Sequence, residues 1–319
     1  MNREKLLQVV SLTLIILVGV IWPQNKPKLQ TKDRELAGKE MTILVTAYPH
    51  HDKQRELIAK LQNDDFAVLE NKHSQKIISV KKASEAPINL AVVVQDNLDW
   101  RVNNEIKGLK EFIQTLPAGS RVMTAYLTIG GAIVTQELIP NLQQAADSLR
   151  IIRNGSFPTA FSPYDGVQGV LKHFEEKTPG RQMILVVSDG LDMSGGYLWA
   201  NPYFSISLER AIRDAQRRGI SIFTIYASSE DRKSGGRFAF NYGQGSLIRL
   251  AAETGGESFI SGLDFVNFAP YLEEIKETFP RQWLITYRSS TMGKEFRRIE
   301  VTTDFDIHLH YLAGYQPKK

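Results

Sequence analysis

Two apolar runs, residues 90–94 and 183–187, each stop at a polar loop: Gln95-Asp96-Asn97-Leu98-Asp99 after the first and Ser188-Asp189-Gly190 after the second. A run that is apolar at every position has no solvated face, which suits a strand buried on both sides in a helix-covered parallel sheet. In such a sheet, ligands bind outside the carboxyl ends of the strands, so loops leaving two such strands can share one cleft. The cleft would be lined by carboxylate and amide oxygens, donors that suit a hard cation such as Mg²⁺.

The surrounding pattern extends this architecture. Strands are predicted over residues 90–94, 121–129, 183–187 and 220–226, and helices over 104–116, 141–150, 163–176, 207–218 and 246–254. Ile106, Leu109, Phe112, Ile113 and Leu116 fall at helical spacing, and Gly219 and Gly255 are helix stop signals that each precede a strand. The expected fold class is α/β, a doubly wound, mostly parallel sheet with helices on both faces. The flanks read differently: short strands over 42–47, 66–70 and 76–80, and later a strand over 258–261, a helix near 268–278 and strands over 282–288, 297–303 and 307–312. A few strands need a second layer to bury their apolar face. Both flanks are therefore expected to join in a smaller β-rich unit. The chain divides into an export signal or anchor (1–23), a linker (24–38), a β-rich flank (39–86), the α/β domain (87–262) and a helix and β-rich flank (263–319).

Composition narrows the function. With 319 residues and 42% hydrophobic content there is ample material for a core. A net charge of +4 from 39 basic and 35 acidic residues is balanced and scattered, which gives no footing for nucleic acid. The absence of cysteine excludes disulfides, thiolate metal sites and a cysteine nucleophile. Near the amino terminus, Arg3 and Lys5 precede an apolar stretch over residues 6–22 that ends in Val20-Ile21-Trp22-Pro23-Gln24, with none of the small residues that mark a cleavage site. It is expected to anchor the chain in a membrane with the folded part extracytoplasmic, or to leave it secreted if the segment is cut. Residues 24–38 are polar and broken by Pro and Gly, as suits a tether.

On these residues, the run from Pro87 to Gly262 resembles a von Willebrand factor type A domain, with Leu250-Ala251-Ala252-Glu253-Thr254-Gly255-Gly256-Glu257 also typical of the family. The flanking Leu61-Gln62-Asn63-Asp64-Asp65-Phe66 and Arg298-Ile299-Glu300-Val301 with Gly314-Tyr315 are similar to a bacterial subgroup, the acidobacterial VWFA-related proteins. The resemblance implies a metal-ion-dependent adhesion site with an Asp-x-Ser-x-Ser loop, a middle Thr and a later Asp. Placed residue by residue, Gln95, Asn97 and Asp99 stand where the family has Asp, Ser and Ser. Ser162 is favoured over Thr159 as the middle ligand, and Asp189 is the later acid. A shift of one residue would lead with Asp96 but would put Leu98 and Trp100 at hydroxyl positions. The implied site is degenerate, and if it holds an ion, Ca²⁺ tolerates the irregular donors better than Mg²⁺. The same residues also suit structural roles, with Asp96 and Asp99 capping the following helix and Asp189 turning the chain.

No phosphate loop and no Gly-x-Ser-x-Gly nucleophile is present, and His50, His51, His308 and His310 lack helical zinc spacing, which suits solvated surface histidines. Gly243-Gln244-Gly245 reads as part of a flexible loop with Gly235-Gly236. After the Asp189 loop, Tyr197, Trp199, Tyr203 and Phe204 form an aromatic loop, either a mini-core or a partner-binding rim. Recognition through Trp199 and Tyr203 is favoured. The expected function is a membrane-anchored or exported protein-binding or adhesion module that uses the strand-end cleft, with or without a divalent cation, and has no catalysis. The alternatives are a metal-independent structural subunit of an envelope assembly, and a metal-dependent hydrolase built on Asp99 and Asp189.

Overall fold

A computed structural model describes residues 40–51, 55–84, 86–153, 161–174, 180–196, 198–229, 236–260, 267–290 and 293–317. The apolar amino-terminal stretch, the tether, Thr159 and Tyr197 lie outside them. In chain order the elements are β1 (Glu40–Tyr48), α1 (Arg55–Lys60), β2 (Ala67–Glu70), β3 (His73–Ser74), β4 (Lys76–Lys82), β5 (Ile88–Gln95) and α2 (Ile106–Gln114). They continue with β6 (Arg121–Thr128), β7 (Gly131–Ile139), α3 (Leu142–Asp147), α4 (Pro163–Leu171), β8 (Arg181–Ser188), α5 (Ile206–Arg218), β9 (Ser221–Tyr226) and α6 (Gly236–Thr254). The last are β10 (Ser258–Phe259), α7 (Ala269–Thr278), β11 (Gln282–Arg288), β12 (Arg297–Thr302), β13 (His308–His310) and β14 (Gly314–Tyr315).

Six strands form the central sheet in the order β10-β9-β8-β5-β6-β7, all parallel except β7, which runs antiparallel to β6. Numbered within the sheet, this is the 3-2-1-4-5-6 order of doubly wound folds, with β5 first and central. Every residue of β5 is buried. Its even residues, Leu90, Val92 and Val94, pack with Leu109, Phe112 and Ile113 of α2 and with Ile275 of α7. Its odd residues, Ala91 and Val93, pack with Val167 of α4 and with Ala211 and Ile212 of α5. The unbroken apolar run thus reflects helices on both faces. The short α1, β3 and β14 went unread in the sequence, as did one long element, β7, whose polar outer positions make it an edge strand that only the hairpin at Gly130 and Gly131 announces.

The flanks interleave. β1 pairs with β11 from Glu40↔Arg288 to Thr46↔Gln282, giving the sheet β13-β1-β11-β4, and β2 pairs with β12 in the sheet β14-β12-β2-β3. Ile43, Val45, Val68, Trp283, Ile285 and Val301 share one core between these sheets. Within it, Glu70 is fully buried and accepts hydrogen bonds from Tyr287 Oη (2.9 Å), Ser289 Oγ (2.7 Å) and Tyr315 Oη (3.1 Å), with Arg297 at 3.4 Å.

Arg181, the first residue of β8, is fully buried and ties the β flanks to the sheet. Its guanidinium donates to the carbonyls of Ala86 (2.7 Å) and Phe279 (3.2 Å) and to Gln282 Oε1 (2.8 Å), and it lies over the Phe279 ring. Burial pulls its pKa down to about 10. Arg181→Ala strands three acceptors at one junction and is expected to cost about 3 kcal/mol in urea unfolding.

The flank histidines are not uniformly solvated, which corrects the expectation from sequence. The β1–β13 pairing sets the His310 ring 4.2 Å from Tyr48 and places His308 4.0 Å from His50. Burial, then the neighbouring His308, holds His310 below the ordinary value of 6.5. The folded protein therefore favours the neutral ring and the unfolded chain takes up the proton first. Stability is complete above the unfolded value and falls as pH drops through it. Between about pH 7 and pH 5, the fall in the urea midpoint should be shallower in His310→Gln than in the parent chain.

Candidate functional site

The parallel register of β5 and β8 pairs Val94 with Val187, so Gln95 and Ser188 leave the sheet side by side and their loops meet. Ser188 Oγ donates to Gln95 Oε1 at 2.5 Å, and the Asp189 N–H reaches the same oxygen at 3.3 Å. Gln95 Nε2 donates to Asn97 Oδ1 at 2.7 Å, so the two amides that were candidate ligands bond to each other. Asp99 caps the short 3₁₀ helix Trp100–Glu105 by accepting from the Arg101 N–H (3.0 Å), and the Arg101 guanidinium grips both carboxylate oxygens at 2.9 and 2.8 Å. Asp189 Oδ1 accepts from the Leu191 N–H at 3.1 Å. Ser162 occupies the N-cap position of α4 without a capping bond, and its buried Oγ has no hydrogen-bond partner among the described residues. The expected residues thus lie at one edge, and none of Gln95, Asn97, Asp99, Ser162 and Asp189 is more than 4% exposed.

Asp96 is not a helix cap. Its carboxylate takes a bidentate pair of bonds from Arg150 (2.8 and 2.9 Å) and one from the Arg153 N–H (2.9 Å). Arg150 stacks over Tyr126 at 3.8 Å, and the Tyr126 hydroxyl bridges the Arg150 backbone. Arg101 could have been suspected from its place two residues after Asp99. Arg150 could not, because no local pattern links it to a loop 54 residues earlier.

Three of the five candidate ligands, Gln95, Asn97 and Asp99, do not fit a hard divalent cation. Octahedral coordination needs oxygens with free lone pairs converging on one point. Here both Asp99 oxygens answer a guanidinium, which already supplies the positive charge, and the Gln95 and Asn97 amides are closed on each other. Among the described residues, no group of three His, Cys, Asp or Glu side chains is placed to hold a metal ion.

Backbone contact from α6 seals the edge. Gly243 lies inside α6 rather than in the loop expected from its glycines, and a Cβ there would meet Asp189 O at 2.1 Å. Gly190, at φ +67°, faces it with equal closeness, since its Cβ would lie 2.3 Å from Gly243 O. Glycine is required because two backbones touch, which outweighs its poor helix propensity. Tyr164 donates to Gly190 O at 2.6 Å from the other side.

Beyond the sealed edge, the segment after β8 is held at both ends. Asp192 accepts from the Ser194 N–H (3.0 Å) and from Ser205 Oγ (2.5 Å), and Ser205 also caps α5. Ala200 and Pro202 are buried, and Arg249 binds Pro202 O at 2.8 Å. On this fixed base Trp199 is 54% and Tyr203 80% exposed, with a hollow of 230 Å³ beside Trp199 and Phe204. Gly243→Ala forces α6 off the Asp189 loop. It is expected to cost about 3 kcal/mol in thermal or urea unfolding, from overpacking against backbone.

No family model and no curated protein matches the sequence. Among solved structures, the chain is similar to an aerotolerance-related membrane protein from Bacteroides fragilis, with 12% identity over 60% of this chain and 98% of that one and a TM-score of 0.41. It is similar to proximal thread matrix protein 1 of the mussel byssus with a zinc-occupied MIDAS motif, with 12% identity over 66% and 49% and a TM-score of 0.45. It is also similar to the manganese-loaded TRAP protein of Plasmodium vivax, with 12% identity over 79% and 100% and a TM-score of 0.40. The strand order and the helices on both faces give the chain a doubly wound, mostly parallel α/β fold, with added β-sheets built from its flanks.

Proposed function

We propose that this chain is an envelope-associated protein-binding module, held at a membrane by residues 6–22, whose partner docks on the apolar rim around the strand-end edge without a resident cation. The observation that carries this is a contrast at one edge of the sheet. Most polar groups there are buried and answered by one another, by backbone N–H groups or by arginines, the Ser162 hydroxyl excepted, while Trp100, Ile151, Leu198, Trp199, Tyr203 and Phe238 around them are exposed. Large apolar side chains left in water on a fixed base are the usual mark of an interaction surface, and aromatic residues dominate interface energetics. Among the described residues, no helix is long and apolar enough to cross a membrane, so the anchoring role falls to the amino-terminal stretch outside them. A hydrolase that shares a metal-bound water between Asp99 and Asp189 is disfavoured by the Arg101 clamp on Asp99.

Partner capture from solubilised membranes tests the proposal. Trp199→Ala and Tyr203→Ala should each weaken capture about thirtyfold, the equivalent of about 2 kcal/mol, with the melting temperature unchanged. A large fall in melting temperature would instead assign the rim a core role. Capture should also survive chelator, and titration of the folded protein with Mg²⁺, Mn²⁺ or Ca²⁺ should release no binding heat. Loss of the partner on chelation would restore the cation-dependent mechanism.

A further inference from the structure

The exposed face of α5 carries Ile206, Arg210, Arg213 and Arg217 at helical spacing, so three guanidiniums follow one another down the helix. From Ile206 to Arg217 the stripe runs roughly 16 Å at about 1.5 Å per residue. It borders a groove of 740 Å³ whose other wall includes Gln168 of α4 and the Gln316-Pro317 segment. In the sequence, Lys318 and Lys319 follow. The arginines are under-neutralised. Arg210 meets no carboxylate among the described residues, Arg217 pairs with Asp214, and Arg213 has Glu209 at 2.8 Å, a carboxylate already shared with Arg249.

The place where the chain enters the folded body gives this charge a direction. Gly219, which ends α5 directly after Arg217 and Arg218, sits against β1, its Cβ position 3.6 Å from Thr42 O. The described chain begins two residues earlier, at Glu40, and upstream lie a polar segment, residues 23–39, and the apolar stretch over residues 6–22. On the random-coil scale a chain of that length spans on average about 20–25 Å, which would keep a bilayer holding the apolar stretch within reach of the arginine end of α5. The rim around Trp199 is at the other end of the same helix.

We infer that the Arg210-Arg213-Arg217 face of α5 rests on an anionic membrane surface, which turns the aromatic rim away from the bilayer and toward a partner. The inference builds on the anchoring proposed above. Guanidinium forks match phosphate oxygens bidentately, and each basic side chain near an anionic leaflet strengthens contact about fivefold. The surface is an array of phosphate-bearing headgroups rather than one bound lipid, because the three arginines are spread along the helix.

The full-length chain, reconstituted in nanodiscs, provides the test. Since the chain has no cysteine, Gln316→Cys offers a single labelling site in the groove. A fluorophore there should be quenched by headgroup nitroxides in discs containing phosphatidylglycerol and much less in pure phosphatidylcholine. Quenching should fall about fivefold for each of Arg210→Gln, Arg213→Gln and Arg217→Gln, survive largely in the triple lysine variant, and vanish in about 1 M salt, where the screening length is about 3 Å. Equal quenching in neutral and anionic discs overturns the inference, as does an acidic protein, rather than lipid, being lost from the glutamine variants. A chain that carbonate strips from the discs refutes the anchoring itself. A chain that stays inserted while its label remains unquenched refutes only the arginine contact.

Discussion

The structure depends on how buried charge is answered, and Arg181 is the point on which most of it turns. A guanidinium taken out of water loses hydration that only well-placed acceptors replace. Arg181 finds them in Ala86, which leads into the first strand of the sheet, and in Phe279 and Gln282, which lead from α7 into β11. One side chain thus fixes the angle at which the chain enters the sheet and the point at which it rejoins the β flanks. Because its acceptors are carbonyls and an amide, the junction carries a net positive charge that burial resists, and its lowered pKa records that resistance.

The same rule closes the strand-end edge. Asp96 is gripped by Arg150, Asp99 by Arg101 and, in the flanking core, Glu70 by two tyrosines, a serine and Arg297. Asp96, Asp99 and Glu70 are each met by a guanidinium, whereas Asp189 and Asp192 are answered by backbone N–H groups and serine hydroxyls. Beside the partly exposed Arg101 and Arg153, what remains in water at that edge is largely apolar, so the recognition proposed there would draw on desolvation of aromatic surface. The base beneath the rim is stiff, since Asp192, Ser205 and Arg249 tie it to α5 and α6. A rim held in place loses little conformational entropy on docking.

Most of the fold was legible in the sequence because its signals are local. Apolar runs mark buried strands, the spacing from Ile106 to Leu116 marks α2, and Gly219 marks the end of α5. The misses have physical causes. β7 is a half-exposed edge strand with a polar outer row. Gly243 reads as a loop residue because propensity is local, whereas its reason for being glycine is the Asp189 backbone on another element. Among the histidines, His310 looks solvated until β1 is laid beside it.

By itself, the sequence determined that two polar loops leave buried strands at a common edge, since strand burial and parallel pairing follow from the run of side chains. It also determined the inventory at that edge: two amides, two serines and the acids Asp96, Asp99 and Asp189. Only the tertiary structure decided what those groups do. Hydrogen-bond partners are chosen by distance in space, and the loops, α6 and an arginine 54 residues away meet only once the sheet has closed. The candidate cation site became a sealed, arginine-answered edge because folding supplied guanidiniums at the positions where the sequence listed only oxygen donors.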